Sequence, residues 1–112
     1  MEINEGIELA SIADVPANCG LGTSSTFTVA LLNSLHQYKR QYIGLRELAE
    51  EACTLEIERL GHPIGKQDQY ASAFGEINAY WFEKDGYVRV EPVRISPEKI
   101  YELERNILLF YV

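Results

Sequence analysis

The side chains able to do chemistry lie in two short segments. The first is Pro16-Ala17-Asn18-Cys19-Gly20-Leu21-Gly22-Thr23-Ser24-Ser25, with an amide, two glycines and three successive hydroxyls in one turn. It follows an alternating apolar stretch and precedes a helical pattern. The leading N–H groups of a helix have no partner within it and carry partial positive charge. Glycines let backbone close on an anion with no Cβ in the way. Such a strand, turn and helix suit a phosphate, which makes a nucleotide the leading ligand. A hydroxyl at the helix start is also a hard oxygen of the kind Mg²⁺ takes. The plain alternative is a glycine-rich connection with hydroxyl N-caps at Thr23, Ser24 or Ser25. The spacing fits neither GxxxxGK[ST] nor GxGxxG, because no Lys follows Gly22 and no third glycine stands at the required step.

The second segment is Gly65-Lys66-Gln67-Asp68-Gln69-Tyr70. A carboxylate beside a phosphate site can accept a hydroxyl proton or hold a metal. From spacing alone, Asp68 reads first as a helix N-terminal acid facing the dipole. Glu56 stands out in an acidic helix that also carries Glu47, Glu50, Glu51 and Glu58, the rest of which read as solvated charge. It precedes Gly61 in the last turns, within reach of the region of Asp68. Glu56 and Glu58 face different sides, so at most one points inward. His36 reads as a surface residue, His62 as a loop residue, and Tyr80, Trp81 and Phe82 as hairpin core. Cys19 has no evident base near it.

The elements that must carry these residues follow from pattern. Residues 7–13 alternate and predict a strand, which Pro16 ends. Residues 24–38 predict an amphipathic helix through Phe27, Leu31, Leu32 and Leu35. Residues 45–60 predict a second, with Leu48, Ala52, Leu55 and Arg59 on one stripe and Gly61 at C′. A short helix over 66–74 closes at Gly75. Residues 77–82 and 87–93 predict a hairpin about Asp85-Gly86. Ser96 and Pro97 mark a helix start, and 107–112 predicts a last strand. The order is mixed α/β or α+β in one domain.

Composition sets outer bounds. The chain has 112 residues, with Lys plus Arg 10 and Asp plus Glu 17, a formal net charge of −7. An acidic chain without a basic stripe argues against nucleic acid as partner. A triphosphate held by backbone and metal is compatible with that charge. Cys19 and Cys53 sit in unlike settings, which suggests a reducing compartment and no disulfide. No segment nears the roughly 20 apolar residues of a membrane span, and no signal pattern opens the chain. The expectation is a soluble, cytoplasmic protein. The chain starts almost on a strand and stops in an apolar run, as a fragment of a longer protein would.

The glycine segment resembles the P-x-x-x-G-L-G-S-S-A phosphate loop of the GHMP kinases. Gly65-Lys66-Gln67-Asp68-Gln69-Tyr70-Ala71-Ser72-Ala73-Phe74-Gly75 is similar to the G-K-Q-D-Q-Y-A-x-x-F-G-G signature of their sugar-kinase branch, which includes heptose 7-phosphate kinases. The resemblance runs along nearly the whole chain and implies an α/β (α+β) fold. That fold is the two-layer GHMP N-terminal domain, ribosomal protein S5 domain 2-like, with helices on a mixed sheet. Residues 1–112 would be its central part. ATP and Mg²⁺ would be the cofactors. Pro16, Asn18, Gly20, Leu21, Gly22, Thr23, Ser24 and Ser25 would bind the nucleotide, with N–H groups from Gly20 to Ser24 on its phosphates. Ser24 and Glu56 would ligate Mg²⁺. Asp68 would accept the proton of a sugar or sugar-phosphate hydroxyl, in the heptose branch the anomeric one.

Departures from the pattern are Thr23 for Ser, Ser25 for Ala and Glu76 for the second Gly. If position 76 needs φ > 0, Glu is costly there. The family's N-terminal substrate motif and C-terminal glycine-rich motif are not in this sequence, so the chain alone is expected to be inactive or nearly so. Its open edges predict self-association. The rivals are another GHMP kinase, of fucokinase, galactokinase or mevalonate type, and an inactive ATP-binding or interaction fragment.

Overall fold

The computed structural model describes residues 3–15 and 19–110. In chain order it has α1 (Thr23–Tyr38), α2 (Leu45–Cys53), a π-helical turn (Thr54–Arg59), α3 (Gln67–Phe74), β1 (Asn78–Phe82), β2 (Val88–Pro92) and α4 (Pro97–Arg105). The class is α+β. Among the described residues the sheet is the antiparallel β1–β2 hairpin, so the expected mixed sheet does not form there.

Two small residues explain why α2 is central. Ala49 and Ala52 are both fully buried, and their short side chains let neighbouring helices approach closely. Toward α1, Val29 and Leu32 pack with Leu48 and Ala52, flanked by Ile43 and Ala73. Toward α3 and the hairpin, Ala49 and Cys53 pack with Tyr70 and Val88, flanked by Ile57, Phe74, Tyr80 and Val90. Tyr70 and Phe74, one turn apart on α3, stack with ring centroids 5.8 Å apart. Burial raises the Cys53 thiol to about 11, so it behaves as a core residue rather than a nucleophile.

The capping chemistry differs from the expectation at α1. Its N-cap is Gly22, in the left-handed region at φ 65, and none of the three hydroxyls caps the helix. The Ser24 hydroxyl reaches across to Glu56 instead. At α2, the Glu47 carboxylate accepts from the Gly44 N–H at 3.1 Å, so this acid is a cap and not only surface charge. The π turn replaces the last part of the single helix expected over 45–60. There the Leu60 N–H donates to the Leu55 carbonyl, five residues back. Nothing in the side-chain pattern announces such a widened turn.

The hairpin turns at Asp85-Gly86, where the Asp85 carboxylate accepts from the Tyr87 N–H at 3.0 Å. Tyr80 opposes Val90 and Phe82 opposes Val88 on one face, while Trp81 opposes Arg89 on the other. The expectation of an aromatic hairpin core is therefore corrected. Tyr80 packs inward, but Trp81 lies on the outer face beneath the Arg89 guanidinium, 3.9 Å from its ring centroid. Phe82 is half exposed.

Residues 7–13 and 107–110 form no strand, correcting both expectations there; Tyr111 and Val112 lie outside the described residues. A strand exists only through ladder partners, and neither segment has one among the described residues. Ile12, Leu108 and Phe110 are correspondingly exposed. His36 is also corrected: its side chain is largely covered, and Nε2 meets the Glu51 carboxylate at 2.7 Å.

Glu76 has φ 55, directly after Gly75 at φ 63. A left-handed non-glycine residue costs about 1–2 kcal/mol. Glu76→Gly is therefore expected to raise stability in urea unfolding by about 1 kcal/mol. Glu76→Ala, which keeps the strained Cβ, is expected to leave it unchanged. A destabilised Glu76→Gly would contradict the assignment of strain.

Candidate functional site

The glycine bend is built from left-handed backbone. Gly20 and Gly22 have φ 73 and φ 65, a region that L side chains rarely adopt. Gly20 and Leu21 are exposed. The first turn of α1 follows with no side-chain cap among the described residues, so its N–H groups face outward at the positive end of the helix dipole. Thr23 is half-buried, Ser24 is exposed at this end, and Ser25 is buried with its side chain on the core side. Pro16 and Asn18 lie outside the described residues.

The second motif comes back onto this bend. A Cβ placed on Gly22 would lie 3.1 Å from the Asp68 Cγ and 3.2 Å from its Oδ2. Glycine is thus required at 22 twice over, for its φ and for the closeness of Asp68. Asp68 is exposed, in the first turn of α3. Its carboxylate stands open to solvent beside the mouth of the bend. One turn further along, the Thr26 and Ser72 hydroxyls hydrogen-bond at 2.9 Å and tie α1 to α3 on this same side.

Behind the bend lies Glu56, a carboxylate with no exposed surface. Ser24 Oγ donates to its Oε1 at 2.9 Å and Gln69 Nε2 donates to its Oε2 at 2.6 Å. Among the described ion pairs none involves Glu56. A buried carboxylate held only by neutral donors lacks a counter-charge, which a cation would supply. The donor set fits Mg²⁺. The Ser24 hydroxyl and the Glu56 carboxylate are hard oxygens within hydrogen-bond distance of each other, close enough to share one small cation. Among the described residues no group of three or more His, Cys, Asp or Glu gathers to hold a metal. Such an ion would rely on phosphate oxygens and water for its other places, which is the usual habit of Mg²⁺. Glu58 is exposed, so it is Glu56 alone that points inward.

Two parts of this surround, Gln69 and the cluster about Glu50, have no local signal in the sequence. Gln69 was not singled out, although it adjoins Asp68 and is fully buried. Glu50 read as solvated, but it gathers Lys66 Nζ at 2.8 Å and the Tyr70 hydroxyl. Lys66 also donates to the Gly86 carbonyl at 3.2 Å, fastening the hairpin turn to the start of α3. Burial pushes the Glu50 carboxyl up, but Lys66, Tyr70 and Arg46 outweigh it and hold the group below its ordinary value. No local pattern signals this cluster, because Lys66 and Tyr70 lie 16 and 20 residues from Glu50 and meet it only in the folded chain.

The family description "GHMP kinases N terminal domain" matches residues 1–76. The chain belongs to the GHMP kinase family. It is 37% identical over 103 residues to a D-glycero-alpha-D-manno-heptose 7-phosphate kinase of Campylobacter jejuni, covering 92% of this chain and 30% of that protein. It is 29% identical over 115 residues to a galactokinase of Pyrococcus furiosus, covering 97% of this chain and 31% of that one. A solved structure of a D-glycero-D-manno-heptose 1-phosphate kinase from Bacteriodes thetaiotaomicron superposes with a TM-score of 0.78 at 40% identity, over 81% of this chain and 30% of that chain. The chain thus spans about a third of the length of these relatives.

Gly22→Ala is expected to destabilise the protein by about 2 kcal/mol, from strain at positive φ and from the clash with Asp68. Unfolding in urea measures it; a neutral result would contradict the close approach. For Glu50 the sign follows from its lowered acidity. A carboxyl whose folded value lies below its unfolded one adds stability above the unfolded value, lost as pH falls through the folded one. Wild type should exceed Glu50→Gln in stability at pH 7, and the gap should shrink from about pH 5 downward. A gap independent of pH would contradict the ion pair.

Proposed function

We propose that this chain forms the nucleotide-phosphate and metal side of an ATP-dependent kinase that transfers the γ-phosphoryl group to a sugar or sugar-phosphate hydroxyl. The observation that carries the reading is the convergence of three features from distant parts of the sequence. The uncapped first turn of α1, the Ser24–Glu56 oxygen pair and the open Asp68 carboxylate all meet at the Gly22 bend.

The residues divide the work. N–H groups from Gly20 to Ser24 grip the phosphates of ATP and fix the outermost one in place. Ser24 and Glu56 would hold Mg²⁺, which would neutralise charge developing on the phosphate oxygens. Asp68 faces the attacking hydroxyl. The hydroxyl oxygen bonds to the γ-phosphorus as the bond from that phosphorus to the bridging oxygen breaks. ADP leaves with that oxygen, and the hydroxyl proton passes to the Asp68 carboxylate. Similarity to a heptose 7-phosphate kinase supports a heptose 7-phosphate as the acceptor, with its anomeric hydroxyl as the attacking group in this proposal. That hydroxyl is more acidic than an ordinary alcohol, which suits a single carboxylate as base.

The test is transfer from ATP in the whole protein, with heptose 7-phosphate, galactose, fucose and mevalonate as acceptors. Turnover is expected with the heptose phosphate. Asp68→Asn is expected to lower kcat by roughly 10²- to 10⁴-fold while nucleotide affinity stays unchanged. Wild-type turnover in Asp68→Asn would contradict the role of that carboxylate. Nucleotide binding without turnover on any acceptor would point instead to an inactive ATP-binding module.

A further inference from the structure

We propose that Gln69 is a positioning residue for Glu56, aiming its Oε1 at the metal place beside Ser24. The proposal rests on the reading of Ser24 and Glu56 as metal ligands. It adds a residue that touches neither metal nor substrate.

The contact is specific in its chemistry. Gln69 is fully buried, and its Nε2 donates to Glu56 Oε2 at 2.6 Å. The amide must present nitrogen there, since a carbonyl oxygen against a carboxylate would repel. Glu56 Oε1 takes the Ser24 hydroxyl on its other side. The last torsion of a glutamate is broad and two-fold, so the carboxylate plane is not fixed by rotamer preference. A donor on Oε2 fixes that plane and leaves Oε1 turned toward Ser24.

A second feature shows which end of the amide the fold uses. The Gln69 Oε1 is buried and has no hydrogen-bond partner among the described residues. An unpaired buried carbonyl oxygen opposes folding. An apolar side chain of the same length would avoid that cost but would leave the Glu56 Oε2 without its donor, so the amide at this place is explained by its contact with Glu56.

The position of Gln69 also links two functions. It directly follows Asp68 in α3, and successive helical residues point about 100° apart. One turn of helix therefore directs Asp68 to the Gly22 bend and Gln69 to Glu56. A rotation of α3 would move the proton acceptor and the metal carboxylate together.

The test is Mn²⁺ binding followed by electron paramagnetic resonance, in the whole protein with a non-hydrolysable ATP analogue. Gln69→Met keeps length and removes the donor. It is expected to weaken Mn²⁺ binding roughly 10- to 100-fold, with metal-free nucleotide affinity unchanged. In a Glu56→Gln background the same substitution should cost nothing further. Gln69→Asn keeps an amide but shortens its reach, so it guards against a misfolded Met variant and should also lose Mn²⁺ affinity. Wild-type affinity in both variants would overturn the proposal, as would an equal loss in the Glu56→Gln background. A wild-type protein that takes up nucleotide but no Mn²⁺ would overturn the metal reading as well. Unaffected variants beside a wild type that binds Mn²⁺ would overturn the role of Gln69 alone.

Discussion

A carboxylate enclosed in protein with no Lys, Arg or His partner among the described residues is among the costlier groups a small fold can hold, and Glu56 is such a group. Its position constrains the elements around it. The helix widens into a π turn where Glu56 stands, α1 lends it a serine from its uncapped first turn, and α3 lends it a buried amide. Each of these gives up something locally: regular helix geometry, an N-cap, a satisfied carbonyl oxygen. Sequences that depart from local rules at one place do so most often where function demands it. The nearness of the glycine bend gives that demand a chemical form, since a cation there would meet both the carboxylate and a phosphate.

The short helix α3 is the part that turns sequence into geometry. Asp68, Gln69 and Tyr70 are consecutive, yet they address three elements: the bend before α1, the π turn and Glu50 of α2. Helical twist alone separates them. Eight residues therefore orient the exposed carboxylate, brace the buried one and anchor themselves in the core through Tyr70. Lys66, at the entry to this helix, fastens it to Glu50 and to the hairpin turn. The hairpin, remote from the bend in sequence, thus helps to hold α3 in place.

What could be read beforehand was whatever local periodicity and short motifs encode. Helices α1 and α3, the hairpin at Asp85-Gly86, and the left-handed Gly61 and Gly75 follow from spacing and from glycine. The two motifs that carry the family resemblance meet at Gly22 and Asp68. What failed needed partners distant in the chain. Residues 7–13 and 107–110 have strand-like alternation but no neighbour to pair with among the described residues. Glu50 and His36 looked solvated because Lys66, Tyr70 and Glu51, which cover them, are brought there only by packing. The apolar character of Trp81 predicts a core position, whereas strand register puts it outside under Arg89. The π turn has no known side-chain signature to read.

The most direct measurement is a crystal structure of the whole protein with Mg²⁺ and a non-hydrolysable ATP analogue. The metal is expected at about 2.1 Å from both Ser24 Oγ and a Glu56 oxygen. The phosphates should lie across the first turn of α1, with Asp68 facing the terminal one. Phosphates bound away from Gly20–Ser24, or a metal that leaves Glu56 untouched, would contradict the account.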